Sequence, residues 1–177
     1  MDGLTHIRET FAATHLAGRA ALMPYFTLGF PTPLDSLSIL ESIAAAGADL
    51  IELGIPFSDP LADGPTIQHS TQVALEQGMT VKRCLEQVSE LRRGGVQIPL
   101  ILMGYINPIL AYGVERFAAD AAAAGADGFI VPDLPPEEAG ALQTACRSHG
   151  LALIYMLAPT STPQRLAQVA DVANGFI

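Results

Sequence analysis

The sequence is poor in charge: Asp, Glu, Lys and Arg make up only 15% of its 177 residues, while half are apolar. That balance excludes a disordered chain, which needs low hydrophobicity and high net charge. Base is scarcer than acid, nine Lys and Arg against 18 Asp and Glu, so there is no basic stripe to bind nucleic acid. The nearest approach, Lys82-Arg83 followed by Arg92-Arg93, shares a helical pattern with acids and reads as a solvated face. Long apolar runs are missing as well. None reaches the ~18 residues of a membrane span, and the opening Met1-Asp2-Gly3-Leu4-Thr5 has no basic-then-apolar order of a secretory signal. A soluble cytoplasmic protein is expected, with no membrane partner.

Cysteine occurs twice, as Cys84 and Cys146, without CxxC or Cys/His spacing. Both fall at apolar positions of separate predicted helices, and we read them as buried thiols in a reducing compartment. Lysine is nearly absent: Lys82 alone, on a predicted helix, leaves no strand-end amine for a Schiff base. His6, His15, His69 and His149 are scattered over helices and their ends, where a surface histidine is expected, without the clustering a metal site needs. No GxGxxG, GxSxG or P-loop occurs.

What is present is alternation. Short apolar runs at 22–28, 50–53, 99–103, 128–131, 151–157 and 175–177 are bounded by Gly or Pro, as strands buried on both faces should be. Between them lie helical patterns, clearest in Val81, Cys84, Leu85, Val88 and Leu91 after the cap Thr80. Thr32-Pro33 and Thr162-Pro163 mark two more helix starts. A helix over about 4–17 precedes the first strand and is expected to bury Leu4, Ile7 and Phe11. Ala45-Ala46-Gly47-Ala48-Asp49 is echoed by Ala123-Ala124-Gly125-Ala126-Asp127, each a helix end, a glycine stop and the start of a strand. Asp49 and Asp127 therefore stand at the amino ends of strands and read as structural. Serial βα units imply a parallel α/β sheet, either doubly wound or a (β/α)8 barrel. Barrels run to ~250 residues. Five strands with a sixth beginning predict a single partial barrel domain over 1–177, about the first five to six βα units of a longer chain.

One segment stands apart. The second strand ends on Glu52 and is followed by a loop, Gly54-Ile55-Pro56-Phe57-Ser58-Asp59-Pro60-Leu61-Ala62-Asp63-Gly64, long beside the ~2–6 residues usual in a βα connection. Loops at carboxyl ends of strands are where barrels place their chemistry. Glu52 lies among Leu50, Ile51 and Leu53, where an unpaired carboxylate is costly. It is either half of a structural ion pair or a functional acid/base with a raised pKa, and all nine bases fall in or beside predicted helices. Asp63, before Gly64-Pro65-Thr66, is either a capping residue or a second functional carboxylate. Asp59 reads as loop-shaping, and Asp133, at the productive end of its strand, stays open. Tyr105 is either a pocket wall or a packing aromatic.

These residues also carry a resemblance. Residues 52–68 closely resemble the hallmark segment of the tryptophan synthase α subunit family, and Pro24-Tyr25-Phe26-Thr27, Met103-Gly104-Tyr105-Ile106-Asn107-Pro108 and Val131-Pro132-Asp133-Leu134 extend the likeness along the whole chain. The resemblance implies a TIM barrel that cleaves indole-3-glycerol phosphate to indole and glyceraldehyde 3-phosphate, a lyase step in tryptophan biosynthesis. It implies Glu52 as the acid/base, Asp63 as holder of the indole N–H, and Tyr25, Met103, Tyr105 and Met156 as apolar walls of the indole pocket. It further implies a β-subunit partner carrying pyridoxal phosphate in an α2β2 assembly, faced by Pro56, Asp59 and Asn107, with no cofactor or metal in this chain. Phe30 departs from the family's usual Asp or Tyr. The family's phosphate-binding loops would lie beyond Ile177, so the 177 residues alone are expected to be inactive and poorly folded. A free-standing lyase and a non-catalytic binding fragment are the alternatives.

Overall fold

Five short parallel strands form one sheet in the computed structural model, which describes residues 2–177. β1 (Tyr25–Thr27), β2 (Ile51–Gly54), β3 (Leu100–Met103), β4 (Gly128–Ile130) and β5 (Ala152–Ile154) lie side by side in chain order. Each strand adds to the same edge of the sheet, so the order never reverses as it does in a doubly wound sheet. The arrangement is the first five βα units of a barrel.

The helices follow from the caps. α2 (Pro33–Ala45), α4 (Val81–Arg93) and α8 (Pro163–Val172) start at Thr32, Thr80 and Thr162, whose side chains accept from the backbone N–H three residues on. α3 (Pro65–Glu76) starts at Gly64 with proline in its first turn. α5 (Ile106–Tyr112), α6 (Val114–Ala124) and α7 (Gly140–Ser148) complete the outer layer, and α1 (Gly3–Leu16) stands before β1.

Alternation along the strands makes two cores. Ile51, Leu53, Leu100, Leu102, Phe129 and Leu153 point outward and pack beneath the helices. Leu50, Ile101, Ile130, Ala152 and Ile154 point inward, and Ile7 and Phe11 of α1 join them, plugging the amino-terminal mouth of the sheet. Tyr25 of β1, Glu52 of β2 and Ile101 of β3 are in register on that inner face.

The repeated Ala-Gly-Ala-Asp segment is one device used twice. Gly47 and Gly125 take positive φ (99° and 95°) to end their helices. The aspartate that follows then reaches back to the neighbouring strand. Asp49 accepts from the Leu22 N–H at 2.8 Å and is gripped by the Arg19 guanidinium at 2.6 and 2.7 Å. Asp127 accepts from the Leu100 N–H at 2.8 Å, from Arg92 at 2.6 Å and from His6 Nδ1 at 2.8 Å. The Arg19 guanidinium and the Leu22 amide hold Asp49 down at about 2. Its contribution to stability is therefore full above the ordinary carboxylate range and is lost as pH falls towards 2.

Four expectations are corrected. Residues 175–177 carry no strand: Asn174 Oδ1 takes the Leu153 N–H at 2.8 Å where a ladder would begin, and Phe176 packs on Phe11 with centroids 5.3 Å apart. Leu4 is exposed, because α1 turns Ile7 and Phe11 inward instead. His6 is engaged by Asp127 and is no surface bystander. Arg92 is not on the solvated face with Arg93, since its guanidinium also donates to the carbonyls of Gly125, Val96 and Ile98. Cys84 and Cys146 are buried thiols, as expected.

Asp127→Ala should strand the half-buried Arg92 charge and free the Leu100 amide, costing about 3–5 kcal/mol, a loss that urea unfolding would read directly.

Candidate active site

β2 runs on to Gly54 instead of ending on Glu52, and the alternation that buries Ile51 and Leu53 outward forces Glu52, the second of its four residues, to the inner face. Among the described residues its carboxylate has no hydrogen-bond or ion-pair partner, and burial alone pushes its pKa above the ordinary glutamate value. It opens on a cavity of about 210 Å³ walled by Met103, Ile130, Ile154, Met156 and Phe176. Such a carboxyl can hold a proton closer to neutrality than a solvated one, and can give it up to an acceptor in the cavity.

Tyr25 lies beside Glu52 in register and feels both Glu52 and Asp63; burial, chiefly, and those two charges raise its pKa. Its ring is seated over the backbone of Gly54, where a Cβ would collide with the hydroxyl. Its hydroxyl lies 3.3 Å from Thr27 Oγ1, which itself bonds Ser70 of α3 at 2.7 Å. Neither Gly54 nor the Thr27–Ser70 pair stands out from composition or spacing. The Leu53-Gly54 step inside an apolar strand was the available signal.

The loop after β2 is built on local bonds. The Leu61 N–H donates to the Asp59 carbonyl at 2.9 Å and the Asp63 N–H to the Pro60 carbonyl at 3.1 Å. Asp59 is exposed and takes the Ser58 hydroxyl, the loop-shaping role read for it. Asp63 is half-buried and accepts from the Tyr105 hydroxyl at 3.1 Å, while that hydroxyl accepts from the Ala62 N–H at 2.9 Å. Tyr105 is thus more than an apolar wall. Burial first, then the neighbouring Asp63, pushes its phenol up to about 12, against the lowering effect of the Ala62 amide. Asp133, left open by the sequence, accepts from the Ile106 N–H at 3.0 Å and so caps α5 from a neighbouring loop.

The other expected positions divide. Met103 is half-buried and Met156 is 61% exposed beyond β5, both beside the Glu52 cavity. Asp59 and Asn107 are exposed and share a second cavity of about 240 Å³ with Phe57, Leu61, Tyr105 and Asp133. Pro56 is buried within this chain itself. Phe30 sits at the loop after β1 with its ring 6.3 Å from those of Phe26 and His69. No cluster of three or more His, Cys, Asp or Glu able to hold a metal occurs among the described residues.

The profile of the family described as "Tryptophan synthase alpha chain" matches residues 11–177. Two curated relatives of that name, from Roseiflexus sp. (strain RS-1) and Chloroflexus aurantiacus, are 53% and 54% identical over 98% of this chain. The alignments cover 67% and 65% of those relatives, so the chain spans about two-thirds of their length. The crystal structure of tryptophan synthase subunit alpha from Legionella pneumophila superposes with a TM-score of 0.93 at 39% identity, covering all of this chain and 68% of that one.

Glu52→Gln removes the cost of a desolvated charge. With the folded pKa raised, the wild type loses stability as pH rises through it. The variant should therefore melt higher at pH 7, with the advantage gone below the ordinary glutamate range, as thermal unfolding across pH would record. Gly54→Ala should cost about 1–3 kcal/mol by forcing Tyr25 off its seat, measurable by denaturant titration.

Proposed function

The chain belongs to the tryptophan synthase alpha chain family, and on that premise we propose that it performs the retro-aldol cleavage of indole-3-glycerol phosphate to indole and glyceraldehyde 3-phosphate. The observation that carries this reading is Glu52, a desolvated carboxylate on the inner face of a barrel strand, unpaired among the described residues. Cleavage needs a proton at indole C3, loss of the proton from the side-chain hydroxyl, and support for charge developing on the indole nitrogen. Glu52 begins protonated, as its raised pKa favours, and gives that proton to C3. The carboxylate so formed takes the hydroxyl proton as the carbon–carbon bond breaks. Asp63 accepts the indole N–H, and opposite environments suit the two carboxylates to these different tasks. Tyr25, Met103 and Met156 supply walls for the ring, with Tyr105 at the Asp63 side.

An alpha chain is by name one of at least two kinds of chain. The partner in this reading is a β chain that holds pyridoxal phosphate and consumes the indole, in an α2β2 assembly in the cytoplasm. Asp59 and Asn107, exposed on one rim, are the positions we assign to that contact. This chain itself needs no cofactor for the steps above.

Indole release by the completed barrel that carries this segment, with a β partner, tests the reading. Glu52→Gln should lower the rate by about 10²–10⁴, and wild-type activity should fall as pH rises through the raised Glu52 pKa. Equal rates for wild type and variant would make Glu52 structural.

A further inference from the structure

We propose that Tyr105 is a positioning residue that orients the Asp63 carboxylate and ties the loop after β2 to the barrel. The inference rests on the role given to Asp63 above and goes beyond the ring-wall role that the resemblance implied for the tyrosine. A phenol has one proton. The Tyr105 oxygen accepts from the Ala62 N–H at 2.9 Å, so its proton is free to go to Asp63 Oδ2, 3.1 Å away. That bond occupies one carboxylate oxygen and fixes the plane of the group, leaving Oδ1 to accept an N–H from the substrate.

The same hydroxyl anchors the loop. Leu61, at its tip, is 94% exposed, and the bonds among residues 58–63 are local. Gln68 of α3 holds the Asp63 carbonyl at 2.9 Å from behind. On the β3 side the Ile55 N–H donates to the Met103 carbonyl at 2.7 Å at the loop's start, and its far half is attached by Tyr105: the hydroxyl grips Ala62 and Asp63, and the ring meets Phe57 with centroids 5.5 Å apart. Tyr105 is itself fixed, 6% exposed and followed at once by the Ile106 N–H that Asp133 caps from the next loop. Three consecutive βα loops are therefore linked in series, the first two through the phenol and the third through the Ile106 amide beside it, and the carboxylate assigned to the indole nitrogen hangs from that phenol.

Tyr105→Phe keeps the ring against Phe57 and removes only the hydroxyl. In this chain, amide exchange at Ala62 should accelerate about tenfold or more, the worth of one hydrogen bond to a charged or buried group, and the Asp63 carboxyl carbon resonance should shift. With a β partner, indole release should lose about tenfold in kcat with KM nearly unchanged. The double variant Tyr105→Phe/Asp63→Asn should be no slower than Asp63→Asn alone, because the phenol acts through the aspartate. Multiplying losses in the double variant would overturn the positioning role. Unchanged Ala62 exchange together with an unmoved Asp63 resonance would overturn the tether. Should the wild-type assembly release no indole, the reaction assigned to the site fails by itself, and those two resonances still decide whether Tyr105 orients Asp63.

Discussion

Everything at the site depends on the register of five parallel strands. With β1 to β5 in chain order and no reversal, Glu52, Ile101, Ile130 and Ile154 face the concave side, while Ile51, Leu53, Leu100, Leu102, Phe129 and Leu153 face the helices. A slip of one residue in β2 would move Glu52 under the helices and bring Ile51 or Leu53 into the cavity. The energetic pull comes from the outward residues, which bury completely against the helix layer. Glu52 is carried into an apolar setting because its neighbours gain more by burial than it loses.

The two ends of the sheet divide the work. At the amino ends, Asp49 and Asp127 are each saturated by an arginine and a backbone amide from the adjacent strand. These carboxylates hold neighbouring units together and leave no unpaired charge. Within the sheet and in the loop beyond it, Glu52 has no partner among the described residues and Asp63 has a single phenol on its carboxylate. Unspent hydrogen-bonding capacity is what a reacting group needs, and these two carboxylates retain it. The amino-terminal mouth is filled by Ile7 and Phe11 of α1.

The loop after β2 shows how a long connection becomes ordered without a core of its own. Its tip is exposed, its internal bonds are short-range, and its attachment is made by side chains from α3 and from the loop after β3. Asp133 extends this arrangement one unit further by capping α5. Neighbouring βα loops therefore share their supports, and the geometry of one depends on side chains of the next two.

The strands, the threonine caps, the helix stops at Gly47 and Gly125 and the prominence of Glu52 were legible in the sequence, because they are set by local pattern: apolar runs, N-cap chemistry, positive φ, and a carboxylate among aliphatics. The echo around Asp49 and Asp127 was legible as structural for the same reason. Tertiary structure alone decided the rest. Arg92 lay in a basic pair that looked solvated, and only packing of α4 beside the start of β4 turned its guanidinium on Asp127. Tyr105 and Asp63 are 42 positions apart, and no spacing rule connects a β3 loop to a β2 loop. Pro56 sits in an exposed-looking loop yet is buried. Residues 175–177 have the composition of a strand, but a strand exists only where a ladder pairs it, and pairing is a property of two segments at once. Local preference can be read from one stretch of chain; partnership cannot.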